Sequence, residues 1–283
     1  MNSKRVVVLG ASGFIGSHVV SEAEARGLEV VGLSSRDLDL MAPESIGILT
    51  SVLRAGDTVV HSAAVAPARN AAEAAANLTM TNSLVKAAEG LELGQLVIVS
   101  SDAVYGSASG VVTEQTACTP DSFHGVMSLG RELACAEIRT DVFTIVRPAP
   151  VYGMGDTHNS YGPNRFARQA LGDGQIVVFG GGAAGRDHVV ISDVADVIVR
   201  SITQIERGVI NVASGQMRTF AQVAELVRSV APSGATVASV GSEANPTFRS
   251  FDLSGLIRRF PDHIPTTPEI GIPAMLRLMV SAG

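Results

Sequence analysis

Residues 5–17 read Arg5-Val-Val-Val-Leu-Gly-Ala-Ser-Gly-Phe-Ile-Gly-Ser17, and this stretch decides the fold. The β-branched run Val6 to Val8 has the side chains of a buried strand. Three glycines follow at intervals of three, Gly10, Gly13 and Gly16, and then Val19, Val20 and Ala23 continue at helical spacing. A buried strand feeding a tight glycine turn and a helix is what a dinucleotide pyrophosphate requires. Gly10 permits the turn, Gly13 lets the backbone approach the phosphates, and Gly16 lets the helix pack on its strand. The free N–H groups and the positive end of the helix dipole face the phosphates. Ser12, Phe14 and Ile15 belong to the same cofactor loop.

Outward from this stretch the chain alternates strand and helix. Strands are predicted at Val6–Gly10, Glu29–Leu33, Asp57–His61, Gln95–Ser101 and Val142–Arg147. Between them helices are predicted over 14–26, 43–53, 70–89 and 122–139. Such alternation makes right-handed βαβ units and a parallel sheet, an α/β doubly wound fold of Rossmann type. Ligands in these sheets lie at the carboxyl ends of the strands, here Gly10, Ser34, His61, Ser101 and Arg147. After Pro148 the texture turns to Gly, Asn and Asp. Residues 1–150 therefore read as a dinucleotide-binding domain, and 151–283 as a smaller substrate lobe from which 186–215 return to the core. A last helix is expected after Pro273.

Bulk properties exclude several classes. The chain has 283 residues, 46% hydrophobic and 17% charged, the composition of a folded globular protein. A net charge of −6 without any Lys/Arg run offers nucleic acid no basic surface. Apolar runs are broken by glycine or charge short of a membrane span. The first strand begins at Arg5, so no signal peptide is expected, and a cytoplasmic location follows. Cys118 and Cys135 have no ligand spacing with a His pair and the six histidines are scattered, so no metal is expected.

Ordered blocks along nearly the whole chain resemble the extended short-chain dehydrogenase/reductase family, the NAD-dependent epimerase/dehydratase group. The glycine loop is the first. Val-Val-His-Ser-Ala-Ala (59–64) is similar to the end of the family's third strand, where Ala63 and Ala64 would line the cofactor. Asn77 to Ala88 matches the helix written N-V-x-G-T-x-N-L-L-E-A-A, with Met80 in place of glycine. Val-Ser-Ser-Asp-Ala-Val-Tyr-Gly (99–106) resembles the active-site strand. Arg147-Pro148 to Gly153 resembles the crossing into the substrate lobe, and the segments starting at Arg186 and Asn211 resemble later family blocks. The resemblance implies a nicotinamide cofactor and hydride transfer at an alcohol or ketone carbon of a sugar, with nucleotide-linked sugars as substrates.

The end of strand two bears on the choice of cofactor. An acidic residue there binds the ribose hydroxyls of NAD. This chain has Ser34, Ser35 and Arg36, which suit a 2′-phosphate, so NADP(H) is favoured, with NAD(H) the other choice. Asp39-Leu40 is similar to the family's adenine-side pair, and Pro148 closes the cofactor site.

The family's catalytic pattern is altered. Ser101 stands where the resemblance places the residue that touches the substrate oxygen, and Asp102 follows it. The Glu of dehydratases is Ala103, which makes dehydration less favoured than reduction or epimerisation. Set against the usual Y-G-x-x-K-x-x-x-E, the chain reads His124-Gly-Val-Met-Ser128-Leu-Gly-Arg-Glu132, and its only lysines are Lys4 and Lys86. Three readings stay open. His124 replaces the tyrosine as acid/base, since imidazole titrates near neutrality unaided, with Ser128 on the ribose and Arg131 supplying positive charge. Asp102 or another group runs different chemistry. Or catalysis is lost and the protein is a dinucleotide-binding regulator. Arg186 and Arg249 are expected to form a cationic wall for a substrate diphosphate. The helices over 70–89 and 122–139 resemble those that pair across family homodimers.

Overall fold

The computed structural model describes residues 5–156, 159, 162–231, 234–242 and 244–282. The first half runs β1 (Arg5–Leu9), α1 (Phe14–Ala25), β2 (Glu29–Leu33), α2 (Ser45–Val52), β3 (Thr58–His61), α3 (Ala71–Ala87), β4 (Gln95–Val99), β5 (Gly110–Val112), α4 (Phe123–Cys135) and β6 (Phe143–Pro148). The second half runs β7 (Val151–Tyr152), α5 (Pro163–Leu171), β8 (Gln175–Phe179), β9 (Gly185–Asp187), β10 (Val189–Val190), α6 (Ile191–Thr203), β11 (Gly208–Val212), β12 (Met217–Thr219), α7 (Phe220–Val230), β13 (Thr236–Val240), β14 (Arg249–Phe251), α8 (Ser254–Arg259) and α9 (Pro268–Ala282). A 3₁₀ turn, Asp102–Tyr105, follows β4.

Six strands form one parallel sheet in the order β11-β6-β4-β3-β1-β2. The chain leaves β1 outward to β2 and returns on the other side to β3, so the strand order reverses between β1 and β3. Alternate residues of β1 enter two different cores, Val6 and Val8 on one face and Val7 and Leu9 on the other. A strand buried on both faces reads as an unbroken apolar run, which is why the valine triplet was legible. Each such side chain contributes about 1.5–3 kcal/mol by leaving water. A third core, built on Phe166, Ile176, Val178, Val223, Val227 and Ile272, belongs to the C-terminal half.

Some predicted boundaries move. The helix over 122–139 stops at Cys135, and the last helix starts at Pro268 with Pro273 inside it. The sequence reading did not anticipate β5 and β14. They are three residues each, too short for a period of two to show, and they pair with one another in parallel. That pairing ties the loop after the 3₁₀ turn to Arg249.

Candidate active site

A cleft of about 650 Å³ opens at the carboxyl ends of β1, β3 and β4, where the strand order reverses. Gly10, Ser12, Gly13, Phe14, Ile15 and Gly16 form its floor. Gly10 holds φ +83°, and a Cβ on it would stand 2.7 Å from the Ala63 backbone. One on Gly16 would stand 2.1 Å from the Gly10 carbonyl oxygen, so any side chain there separates helix from strand. Gly13 caps α1 without a side-chain acceptor, and the first turn has no acidic residue. The first amides of the helix are left for an anion, which fits a dinucleotide pyrophosphate.

Ser34, Ser35, Asp39 and Leu40 line the cleft beyond β2, whereas Arg36 does not. A residue passed over in the sequence organises this loop. Asp37 accepts from the Ser34 amide at 2.9 Å and from its hydroxyl at 2.6 Å. These bonds, the hydroxyl's first, hold its carboxyl below the usual carboxylate range. At the end of β3, Ala63, Ala64 and Val65 line the cleft. Asn77 fixes their path, accepting from Val65 N at 2.9 Å and donating to Val65 O at 3.0 Å. Met80, the departure in that helix, also faces the cleft, as does Pro148.

Ser101 and Asp102 line the cleft beyond β4. The Ser101 hydroxyl caps the 3₁₀ turn by accepting from Ala103 N at 3.1 Å. Asp102 is buried, and burial raises its pKa while the Arg249 charge opposes the rise. Arg249 donates to Asp102 Oδ2 at 2.8 Å, to Asp102 O at 3.1 Å, and to the carbonyls of Gly106 and Ala108.

The cationic wall expected from Arg186 and Arg249 is therefore not in place. Neither lines the cleft. Arg249 is buried against Asp102, and Arg186 donates to Gly185 O, Thr247 O and Thr247 Oγ1.

One face of α4 presents His124, Ser128 and Arg131 to the cleft, at helical spacings of four and three. The start of α4 can approach the 3₁₀ turn because residue 125 is glycine; a Cβ there would lie 2.3 Å from Ala103 O. His124 Nδ1 accepts from the Ala68 amide at 3.4 Å, which leaves the proton of a neutral ring on Nε2. The Ser128 hydroxyl donates back to His124 O at 2.8 Å. Arg131 is buried and spans the ends of β3 and β4, donating to Val99 O at 3.1 Å, His61 O at 3.4 Å and Ala63 O at 3.0 Å. Burial lowers its pKa to about 10, so it stays cationic at neutral pH.

A buried network anchors α4. Arg147 on β6 holds Glu132 through two bonds of 2.9 and 2.6 Å, and Ser100 donates to Glu132 at 2.5 Å. Arg147 also meets the Tyr105 hydroxyl at 3.1 Å, which donates to Asn211 on β11 at 2.8 Å.

Two buried histidines make folding sensitive to acid. Burial takes His188 down to about 4 and His61 well below its usual value. Below the unfolded pKa near 6.5 the unfolded chain takes up a proton that the folded ring refuses, so stability is lost as pH falls from about 6.5 toward 4. For His188 this is about 2 kcal/mol by pH 5. Urea unfolding at pH 7 and pH 5 is expected to show His188→Leu losing less than the parent by about that amount; equal losses would contradict it.

The NAD dependent epimerase/dehydratase family model matches residues 6–213. The chain belongs to this family. A dTDP-4-dehydro-6-deoxy-D-allose reductase from a Streptomyces species is 29% identical over 273 residues, covering 80% of this chain and 81% of the relative. A Bacillus subtilis protein named as an uncharacterized UDP-glucose epimerase is 25% identical over 270 residues, covering 82% and 84%. The fold matches that of the Thermus thermophilus UDP-glucose 4-epimerase solved with NAD, with a TM-score of 0.86 at 23% identity, over 99% of this chain and 100% of that one. His124, Ser128 and Arg131 all line the cleft from α4. Among the described residues no cluster of three or more His, Cys, Asp or Glu is placed to hold a metal, and no helix is long and apolar enough to cross a membrane.

Proposed function

We propose that the protein is an NAD(P)-dependent oxidoreductase or epimerase acting on an alcohol or ketone carbon of a nucleotide-linked sugar, with reduction or epimerisation favoured over dehydration. The observation that carries this reading is that His124 shares one cleft with Ser101, Asp102 and the glycine loop. The relatives' printed substrates, dTDP- and UDP-linked sugars, support the substrate class. A bound nicotinamide supplies the hydride donor or acceptor. The glycine loop, Ala63, Ala64 and Pro148 would hold it. Ser101 orients and polarises the substrate oxygen, and His124 exchanges the proton through Nε2. Asp102, clamped by Arg249, keeps negative charge beside Ser101. Arg131 supplies fixed positive charge from the ends of β3 and β4, away from the imidazole. Residues after 150 provide the substrate side, and the exposed Leu78, Phe123, Val126 and Leu133 on α3 and α4 suit a homodimer face.

NADP(H) is the favoured cofactor. The carboxylate near the ribose position, Asp37, is committed to Ser34. Arg36 is exposed beside the cleft, its charge felt by the Asp37 carboxylate, and it would turn onto a 2′-phosphate brought there. Arg36→Ala is expected to weaken NADPH binding by roughly 10- to 100-fold, the worth of a charge-assisted bond, while NADH binding stays within about twofold. Isothermal titration with both cofactors measures this. Equal losses would remove Arg36 from the 2′-phosphate.

A second reading is a dinucleotide-binding regulator without turnover. It is favoured by Ser128, whose hydroxyl is spent on the helix backbone where the usual lysine would reach the ribose. Turnover of NADPH with 4-keto nucleotide sugars decides between the two.

A further inference from the structure

Two side chains on the small-lobe wall of the cleft are buried without a hydrogen-bond partner among the described residues, Tyr152 and His188. Their neighbour Asn164 is spent on Gly153, accepting from its amide at 2.9 Å and donating to its carbonyl at 2.8 Å. The Tyr152 hydroxyl is directed toward Gly271 of α9, 2.0 Å from where a Cβ there would stand. His188 has two ring nitrogens to satisfy. It lines the cleft, is 2% exposed, and neither Nδ1 nor Nε2 makes a well-formed hydrogen bond among the described residues, the Arg186 backbone offering only a weak contact.

The ring is nonetheless firmly placed. It follows β9 and directly precedes β10, whose Val189 amide donates to Pro150 O at 3.0 Å. Phe220 meets it edge-on, with centroids 5.6 Å apart at 76°. Residue 162 is glycine at φ +129°, and a Cβ there would crowd Nε2 at 2.9 Å. A buried imidazole with one donor and one acceptor unused is costly unless something brought into the cleft completes it.

We propose that His188 is a substrate-recognition residue, completing its hydrogen bonds with an uncharged hydroxyl of the nucleotide sugar. A hydroxyl gives and takes a proton, as a neutral ring does. A phosphate or carboxylate only accepts, so it serves the N–H but never the bare nitrogen unless the ring protonates, which burial and the nearby Arg186 charge oppose. The assignment rests on the nucleotide-sugar reading above. The hydroxyl belongs either to the sugar or to the nucleoside ribose, and the probes separate these.

The test is isothermal titration of the NADP⁺-loaded protein with UDP-glucose, dTDP-glucose, UDP and dTDP, alongside the thermal melting of the unliganded forms. His188→Leu is expected to weaken sugar-nucleotide binding roughly tenfold, and His188→Asn, which keeps a donor and an acceptor, to recover part of it. Loss confined to the sugar nucleotides assigns the contact to a sugar hydroxyl; equal loss for UDP or dTDP assigns it to the ribose. Neither variant is expected to melt below the parent. Parent-like affinity in both variants, or a marked fall in melting temperature in both, would overturn the role of His188. A parent that binds none of the four probes would instead overturn the nucleotide-sugar reading.

Discussion

His124→Phe is expected to lower turnover by roughly 10²- to 10⁴-fold, the usual contribution of a positioned general acid/base, while NADPH affinity stays within about twofold of the parent. Three observations combine in this expectation. Gly125 lets α4 come close enough to the 3₁₀ turn to bring His124 into the cleft that Ser101 lines. The Ala68 amide occupies Nδ1, so the proton to be exchanged sits on Nε2. And Arg131 holds its charge against the ends of β3 and β4 rather than against the imidazole, through bonds of 3.0–3.4 Å to three carbonyls. His124→Tyr is expected to stay impaired, since a phenol near pKa 10 needs a cation placed to lower it, and residue 128 is a serine. Steady-state rates at saturating NADPH, with cofactor affinity from titration, read both changes. Parent-like turnover in His124→Phe would take the proton exchange away from His124.

Glu132→Ala is expected to cost about 3–5 kcal/mol of folding stability, the penalty for stranding a buried charge. Arg147 is 6% and Glu132 4% exposed, so water cannot replace the lost partner. The loss also strands the Ser100 hydroxyl and cuts the tie between α4 and Arg147 of β6. Glu132→Gln, which keeps an acceptor for Ser100 and Arg147, is expected to cost less. Urea unfolding at pH 7 measures both, and a change in Glu132→Ala below about 1 kcal/mol would contradict the anchoring role.

The sheet was legible because its strands are buried on both faces and so appear as unbroken apolar runs, and because a Cβ at Gly16 would stand 2.1 Å from the Gly10 carbonyl oxygen, so that position must be glycine. The positions along α4 were legible by helical spacing from Gly125 to Glu132. What escaped the sequence were pairings between distant residues. Arg249 is 147 positions from Asp102, and the β5–β14 pairing helps bring them together. A family-derived expectation placed this arginine on a substrate phosphate, whereas it clamps the 3₁₀ turn. Asp37 was passed over because its importance lies in the turn it closes on Ser34. His188 was hidden in the return segment, since an unpaired ring cannot be told from a paired one before its neighbours are placed.

The central claim is that this cleft transfers hydride to a nucleotide-linked sugar. The most direct measurement loads the parent protein with NADPH carrying deuterium at the transferable C4 position, mixes it with UDP- and dTDP-linked 4-keto sugars, and weighs the products by mass spectrometry. The prediction is one deuterium in a product sugar, with the yield lost in His124→Phe. A parent that binds both cofactor and keto sugar yet leaves every sugar unlabelled would contradict it.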